Sequence, residues 1–229
     1  MALIGAGMLC TRMDVEFDGE AEFSRWYDKE HMEERASIPG FLNSRRYVAL
    51  AGDPKYLNLY DTESLAALSS PVYQKALQNQ TDWSKRMMAG FRNFHRTVGS
   101  IDVSVGAGHG VVVGFVWFHP AAGRHDALRE WFRTTGFAGL ADADDIVSAH
   151  LLESDPELSG SLPEVQAAAD EGPVDDWYAI VEGINPVTIT SVCQERFAPA
   201  VLEGSGDATF ASFGVYSLLS AFGMQNGKG

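Results

Sequence analysis

Cysteine is scarce in this chain. Its two copies, Cys10 and Cys193, fall in strand-like and helix-like stretches and form no CxxC. That excludes a disulfide framework and points to a reducing compartment, so a cytoplasmic protein is expected. Long hydrophobic runs are lacking too: the longest apolar-rich stretch, Val111 to Phe118, is far too short to span a bilayer. The N-terminal MALIGAGMLCTRMD has no basic n-region and its apolar residues continue into a strand pattern, so no signal peptide is expected. His119, His125 and His150 are scattered without metal-ligand spacing, and HExxH, HxH, P-loop and GxSxG motifs are all missing. The GAG at Gly5 to Gly7 and the GAGHG at Gly106 to Gly110 do not join a strand to a helix, so neither is a dinucleotide fingerprint.

Positive charge is nearly missing from one half. Residues 1–105 carry 12 Lys/Arg against 14 Asp/Glu, whereas residues 106–229 carry 5 against 17, and the whole chain is at −14. Such a field repels phosphate backbones, so no nucleic-acid partner is expected. The arginines are concentrated in the first half, where an anionic ligand would have to sit.

What is there is a core-forming composition. Hydrophobic residues make up 45% of the 229 and charged residues 21%, ordinary for a globular chain. Gly7 to Met13 reads as a strand and Glu20 to Ser37 as a helix. Ile38-Pro39-Gly40 stops that helix, because the residue before a proline is pushed out of the α region. Phe41 to Ala49 and Lys55 to Asp61 read as strands, the latter with clear period two. A broken helix spans Glu63 to Gln78, and Thr81-Asp82-Trp83 caps one further turn to Met88. Phe91 to Val98 is a fourth strand. The order is β-α-β-β-α-β, the ferredoxin-like unit.

Gly99 to Gly110, rich in Gly and Ser, reads as a linker, after which the pattern restarts. Val111 to Phe118 is a strand, His119-Pro120 lies in a turn, and His125 to Thr135 is a helix. Ile146 to Glu153 and Trp177 to Glu182 are strands, Pro186 to Leu202 is helical despite Pro199, and Phe210 to Ala221 is the last strand. The acidic segment from Asp155 to Asp176 reads as a loop holding a short helix from Leu162 to Ala169. The chain thus divides into 1–105 and 106–229, each with an aromatic pair on its first helix, Trp26-Tyr27 and Trp131-Phe132. A four-stranded antiparallel sheet with helices on one face must bury the other face elsewhere. The expected fold is therefore α+β, two ferredoxin-like repeats packed sheet to sheet as an intramolecular barrel. A homodimer remains compatible with it.

The chemistry concentrates on the first helix and its neighbouring strands. At about 100° per residue from Phe23, Tyr27 falls at about 40°, Glu30 at about 340°, His31 at about 80° and Glu34 at about 20°. His31 thus borders the aromatic stripe while Glu30 and Glu34 lie inside it. Buried unpaired charge is expensive, so either the helix end reaches water or these groups line a pocket. His31 is a candidate general acid/base, with Glu30 beside it, against the bland alternative of an imidazole packed on one edge. In KYLNLYD, Tyr56, Asn58 and Tyr60 share one face, suited to a polar aromatic or carbonyl ligand or simply to interfacial packing. Arg45 and Arg46 place one guanidinium on each face of their strand, and the inward one could clamp a carboxylate. Tyr27, Tyr47 and His95 complete the candidates, with the side that His95 faces left open.

The stretch FSRWYDKEHMEERASIPGFLNSRRY resembles the EthD-like branch of the dimeric α+β barrel superfamily. That superfamily also holds antibiotic-biosynthesis-type monooxygenases, muconolactone isomerases and the haem-binding, tandem chlorite dismutase group. The resemblance covers residues 23–60 well and the second half only by pattern. It implies a pocket between sheet and helices lined by His31, and chemistry without metal or organic cofactor. Thr135-Gly136 stand where Glu30-His31 would align, so one pocket, in the first half, is expected. The leading expectation is a cofactor-independent lyase, decarboxylase or isomerase acting on a small aromatic or unsaturated carboxylic acid. A cofactor-free monooxygenase of phenols is the alternative. A haem protein and a non-catalytic binding barrel are further readings.

Overall fold

In the computed structural model the described residues are 5–160, 175–204 and 207–223. Their eight strands are β1 (Gly7–Val15), β2 (Phe41–Ala51), β3 (Tyr56–Thr62), β4 (Phe91–Gly106), β5 (Val112–Pro120), β6 (Ile146–Ser154), β7 (Trp177–Gly183) and β8 (Ala208–Gly223). They close into one antiparallel barrel in the order β1-β3-β2-β8-β5-β7-β6-β4. The ferredoxin-like order 4-1-3-2 therefore occurs twice, as β4-β1-β3-β2 and as β8-β5-β7-β6. The expected α+β architecture stands, and no helix among the described residues is long and apolar enough to cross a membrane.

Two long strands make the closure. β4 pairs with β1 as far as Ser100 and with β6 from Gly99 to Gly106. β8 pairs likewise with β5 and then, from Val215 to Gly223, with β2. The stretch expected as a linker is thus mostly strand. Its Ile101 and Val103 are buried in alternation with exposed Asp102 and Ser104, a period-two signal diluted by small residues. Gly99 is there for close approach: a Cβ at that position would lie 2.1 Å from the Glu153 carbonyl oxygen. β5 also runs on through His119-Pro120, expected as a turn, because those residues pair with Thr209 and Ala208 of β8. The short helix expected at 162–169 lies outside the described residues.

Helices cover the outer face of each sheet. In the first half these are α1 (Glu20–Trp26), a π-helical turn (Tyr27–His31), α2 (Met32–Ala36), α3 (Pro71–Gln78) and α4 (Asp82–Ala89). Ser70 and Thr81 cap α3 and α4 by accepting from the amides of Tyr73 and Ser84. In the second half they are α5 (His125–Trp131), a second π turn (Phe132–Gly136), α6 (Pro186–Arg196) and α7 (Pro199–Leu202). The single helix expected from 186 to 202 breaks at Ala198, ahead of Pro199.

Three apolar layers result. Met8, Cys10, Leu57 and Leu59 meet Val113, Phe115, Tyr178 and Ile180 inside the barrel. Outside it, Phe23, Trp26 and Tyr27 pack on Met13, Tyr56 and Phe91, and Leu128, Phe132 and Phe197 pack on Phe118, Leu151 and Trp177. Alternation along each strand sorts its residues between interior and helix layer.

Candidate active site

The first helix does not continue as a plain α-helix through Tyr27 to His31. The Met32 amide bonds the Tyr27 carbonyl, an i to i+5 bond, so one residue is accommodated in a wider turn. A wider turn advances fewer degrees per residue, which carries His31 back from the rim of the apolar stripe until it lies over Tyr27. The imidazole is 8% exposed. It rests on the Trp26 indole at 4.3 Å between centroids and faces the Tyr27 ring at 5.1 Å and the Tyr60 ring at 6.4 Å.

These rings bound a small cavity of about 30 Å³ between the helices and the outer face of the first sheet. Leu9, Thr11 and Met13 of β1 form its floor, with Tyr60 of β3 and Arg96 of β4 beside them. Arg35, Tyr73, Leu77 and Met88 close it from above. That is room for one or two waters, against about 300 Å³ or more for a drug-sized ligand pocket. A ring-sized ligand must therefore displace side chains, for which the unbranched Met88 is well suited.

Burial sets the electrostatics. The His31 imidazole is pushed down to about 4, first by burial, with Glu34 opposing and Arg35 assisting. It is thus neutral at pH 7 and able to accept a proton. Its Nδ1 lies 3.7 Å from Glu34 Oε2, too long for a hydrogen bond, and both atoms are buried without another partner. Burial raises the hydroxyls of Tyr27 and Tyr60 above the ordinary phenol range, and the two hydroxyls interact with each other.

Of the nine residues singled out in the sequence, His31, Tyr27 and Tyr60 line the cavity. Glu30 does not: its Oε1 accepts from Thr81 Oγ1 at 2.6 Å, Ser84 Oγ at 3.1 Å and Trp26 Nε1 at 3.3 Å. It pins α4 to α1, and the carboxylate next to His31 is that of Glu34, one turn on. Arg46 lies in the helix layer but stacks on Phe23, Tyr27 and Tyr56 and bonds Ser24 and Asp28. Asn58 donates to Thr11 Oγ1 at 3.2 Å, with its own Oδ1 buried and unpartnered.

The remaining three point into the barrel. Arg45 lies between Asp61 at 3.1 Å and Glu182 at 2.8 Å and donates to the Tyr47 hydroxyl at 2.9 Å. His95 faces the Trp117 ring at 5.5 Å. The expected carboxylate clamp therefore fails for both arginines, since protein carboxylates already occupy them. Arg35 and Arg96, missed in the sequence, are the guanidiniums at the cavity. Only the spacing of Arg35 four residues after His31 hinted at it.

In the second half the counterpart of this space is filled. Its π turn places Gly136 where His31 stands, and the Phe132, Phe137 and Phe197 rings fill the space at 5.0 to 5.9 Å between centroids. Haem, the group bound by the tandem relatives that the helix motif resembles, does not fit these residues. Gly136 provides no axial donor and the rings beside it fill the counterpart space, and about 30 Å³ in the first half is far below a porphyrin. Among the described residues no group of three or more His, Cys, Asp or Glu is arranged to hold a metal ion.

No protein-family model and no curated protein sequence matches the chain. Solved structures do. An anthrone oxidase-like protein is 11% identical and matches over 99% of this chain and 97% of its own, with a TM-score of 0.67. A candidate monooxygenase from Lactobacillus acidophilus is 8% identical over 95% and 96%, with a TM-score of 0.57. A candidate chlorite dismutase is 8% identical over 93% and 94%, with a TM-score of 0.53. The leading expectation of a lyase, decarboxylase or isomerase is corrected accordingly: these barrels carry oxidase and monooxygenase names, and the arginines that would have held the acid are engaged elsewhere. What the likeness establishes is that the chain shares the ferredoxin-like α+β barrel fold of the anthrone oxidase-like, monooxygenase-like and chlorite dismutase-like proteins.

Proposed function

We propose that the protein is a cofactor-independent oxygenase that oxidises an activated ring carbon of a phenolic or anthrone-type substrate in the His31 cavity. The observation that carries this reading is a buried, neutral imidazole held against Tyr27 and Tyr60 with a guanidinium of Arg35 on the same cavity. The names carried by barrels of the same fold support it, as does the likeness of the His31 helix motif to the EthD-like branch. Residues 1–105 carry the chemistry, and residues 106–229 supply the sheet that closes the barrel.

In this reading His31 takes a proton from the activated carbon, leaving an electron-rich enolate that the tyrosine hydroxyls and Arg35 stabilise. The enolate is oxidised by dioxygen, a carbon–oxygen bond forms and the proton returns to the peroxide; the carbon then loses its second hydrogen as a proton while the O–O bond breaks and water leaves. A methylene becomes a carbonyl: one oxygen atom enters the product, the other leaves as water, and no external reductant is consumed. The small, apolar-walled cavity keeps bulk water from the carbanion.

The test is oxygen uptake with anthrone-type and polyphenolic substrates, wild type against His31→Gln. Stoichiometric oxygen consumption and ketone formation, reduced at least 100-fold in the variant with unchanged circular dichroism, are expected. Uptake independent of His31 contradicts the assignment, and turnover of no substrate favours a non-catalytic binding barrel.

A further inference from the structure

Most of the arginines that are buried or half-buried here are answered from within the protein. Arg45 has Asp61 and Glu182, and Arg46 has Asp28 and three aromatic faces. Arg12, with two unpartnered nitrogens, lies beneath the Trp117 ring at 4.5 Å and between Phe115 and Tyr178. Arg35 and Arg96 differ. Arg35 is 3% exposed and donates from Nη2 to Gln80 Oε1 at 3.1 Å, while its Nη1 is buried with no partner. Arg96 donates from Nη1 to the Leu158 carbonyl at 2.7 Å and from Nη2 to the Tyr73 hydroxyl at 3.3 Å, while its Nε is buried with no partner. Among the described residues neither forms an ion pair. Both line the His31 cavity.

An uncompensated guanidinium away from water costs several kcal/mol, and buried N–H groups without acceptors are rare in folded proteins. Arg35, buried, and Arg96, half-buried, thus each present an unpartnered N–H group and a positive charge on one small cavity, which an anionic occupant answers. The neutral partners that hold them, an amide, a carbonyl and a phenol, orient the guanidiniums without cancelling their charge. Of the acidic side chains nearby, Glu30 is committed to Thr81 and Ser84, while Glu34, with its Oε2 unpartnered, offsets part of the Arg35 charge and none is seen to answer Arg96 among the described residues.

We infer that Arg35 and Arg96 form an oxyanion-binding pair, and that the ligand of this cavity is an aromatic compound bearing a negatively charged oxygen, a phenolate or carboxylate. This rests on the proposed reading only in taking the His31 cavity as the ligand site. It makes the two arginines the specificity determinants of that site. Arg35 carries charge toward the His31 side, and Arg96, through Tyr73, carries it toward α3.

Calorimetric binding of 2-naphthoate and its neutral isostere 2-naphthamide, at pH 7 and without oxygen, tests this independently of turnover. Wild type is expected to bind the carboxylate at least 10-fold more tightly than the amide. Arg35→Gln and Arg96→Gln are each expected to remove most of that preference while leaving the naphthamide Kd within about 2-fold, which also reports a folded cavity. Equal affinity for the two probes, binding of neither, or a preference retained in both variants overturns the inference. Should a Gln variant fail to fold, the wild-type comparison and its weakening between low and high salt still decide. A clear anion preference in a protein that consumes no oxygen removes the oxygenase reading and leaves this one standing.

Discussion

The imidazole of His31 lies on the indole of Trp26, with planes inclined by 31°, while the indole N–H is turned away to Ser84 at 3.1 Å. One side chain thus buries the candidate base and is itself anchored from α4. Replacing Trp26 by Leu admits water beside His31 and removes the main cause of its lowered pKa. By proton NMR the wild-type His31 ring is expected to titrate near 4, and the variant nearer to the ordinary 6.5. An unchanged midpoint would show that burial by Trp26 is not the cause.

Acid sensitivity should follow from three histidines. His31, His95 and His150 are each held at about 4 by burial, whereas unfolded imidazoles titrate near 6.5. Between those values the unfolded chain binds more protons, so stability rises with pH across the window. The full contribution is present above about 6.5 and is lost as pH falls toward about 4. Urea unfolding from pH 7.5 to 4 is expected to show this decline, with a shallower slope in His150→Gln. A flat profile contradicts it.

Arg45 neutralises two carboxylates that are inaccessible to solvent. Arg45→Met leaves Asp61 and Glu182 with only the His109 ring, 3.5 Å from each, to answer them among the described residues, and a loss of about 3–5 kcal/mol in unfolding free energy is expected. Changing all three residues to apolar ones of similar size should recover most of the loss. A cost below about 1 kcal/mol for the single variant would mean that water reaches the cluster.

Gly136 lacks room for a side chain: its Cβ would meet Trp131 Cζ3 at 2.8 Å and Phe132 Cδ1 at 3.0 Å. Gly136→Ala is expected to destabilise by about 1–3 kcal/mol, read as a lower Tm. Gly136→His should cost more and create no second site, because the neighbouring rings occupy the space that Tyr27 and His31 leave open in the first half.

A fragment of residues 1–106 is expected not to persist as a folded monomer. It bares Met8, Cys10, Leu57 and Leu59, the face that the second sheet covers, and two strand edges that β6 and β8 occupy. Size-exclusion chromatography should show a dimer or aggregate.

Much of the fold is legible locally. Period two in KYLNLYD separates Tyr56, Asn58 and Tyr60 from Leu57 and Leu59, and the proline at position 39 ends the helix near where the structure ends it. Composition misled at Gly99, where glycine serves contact with β6 and not a linker. The site was legible only in part. His31, Tyr27 and Tyr60 follow from the helix and strand patterns, but the engagement of Glu30 depends on Thr81 and Ser84, more than fifty residues away.

The sequence by itself determined which residues share a side: Arg45 with Tyr47, Arg46 opposite them, Tyr60 with Asn58. Alternation and helical pitch are short-range geometry, so neighbours along the chain suffice to set them. Tertiary structure alone decided which side is covered by helices and which by the other sheet, and hence that Arg45 is sealed between Asp61 and Glu182 while Arg35 and Arg96 meet at the cavity. It also placed His31, through one i to i+5 bond that no spacing reveals. Those outcomes are set by partners brought together across the barrel, and they exist only once those partners are in place.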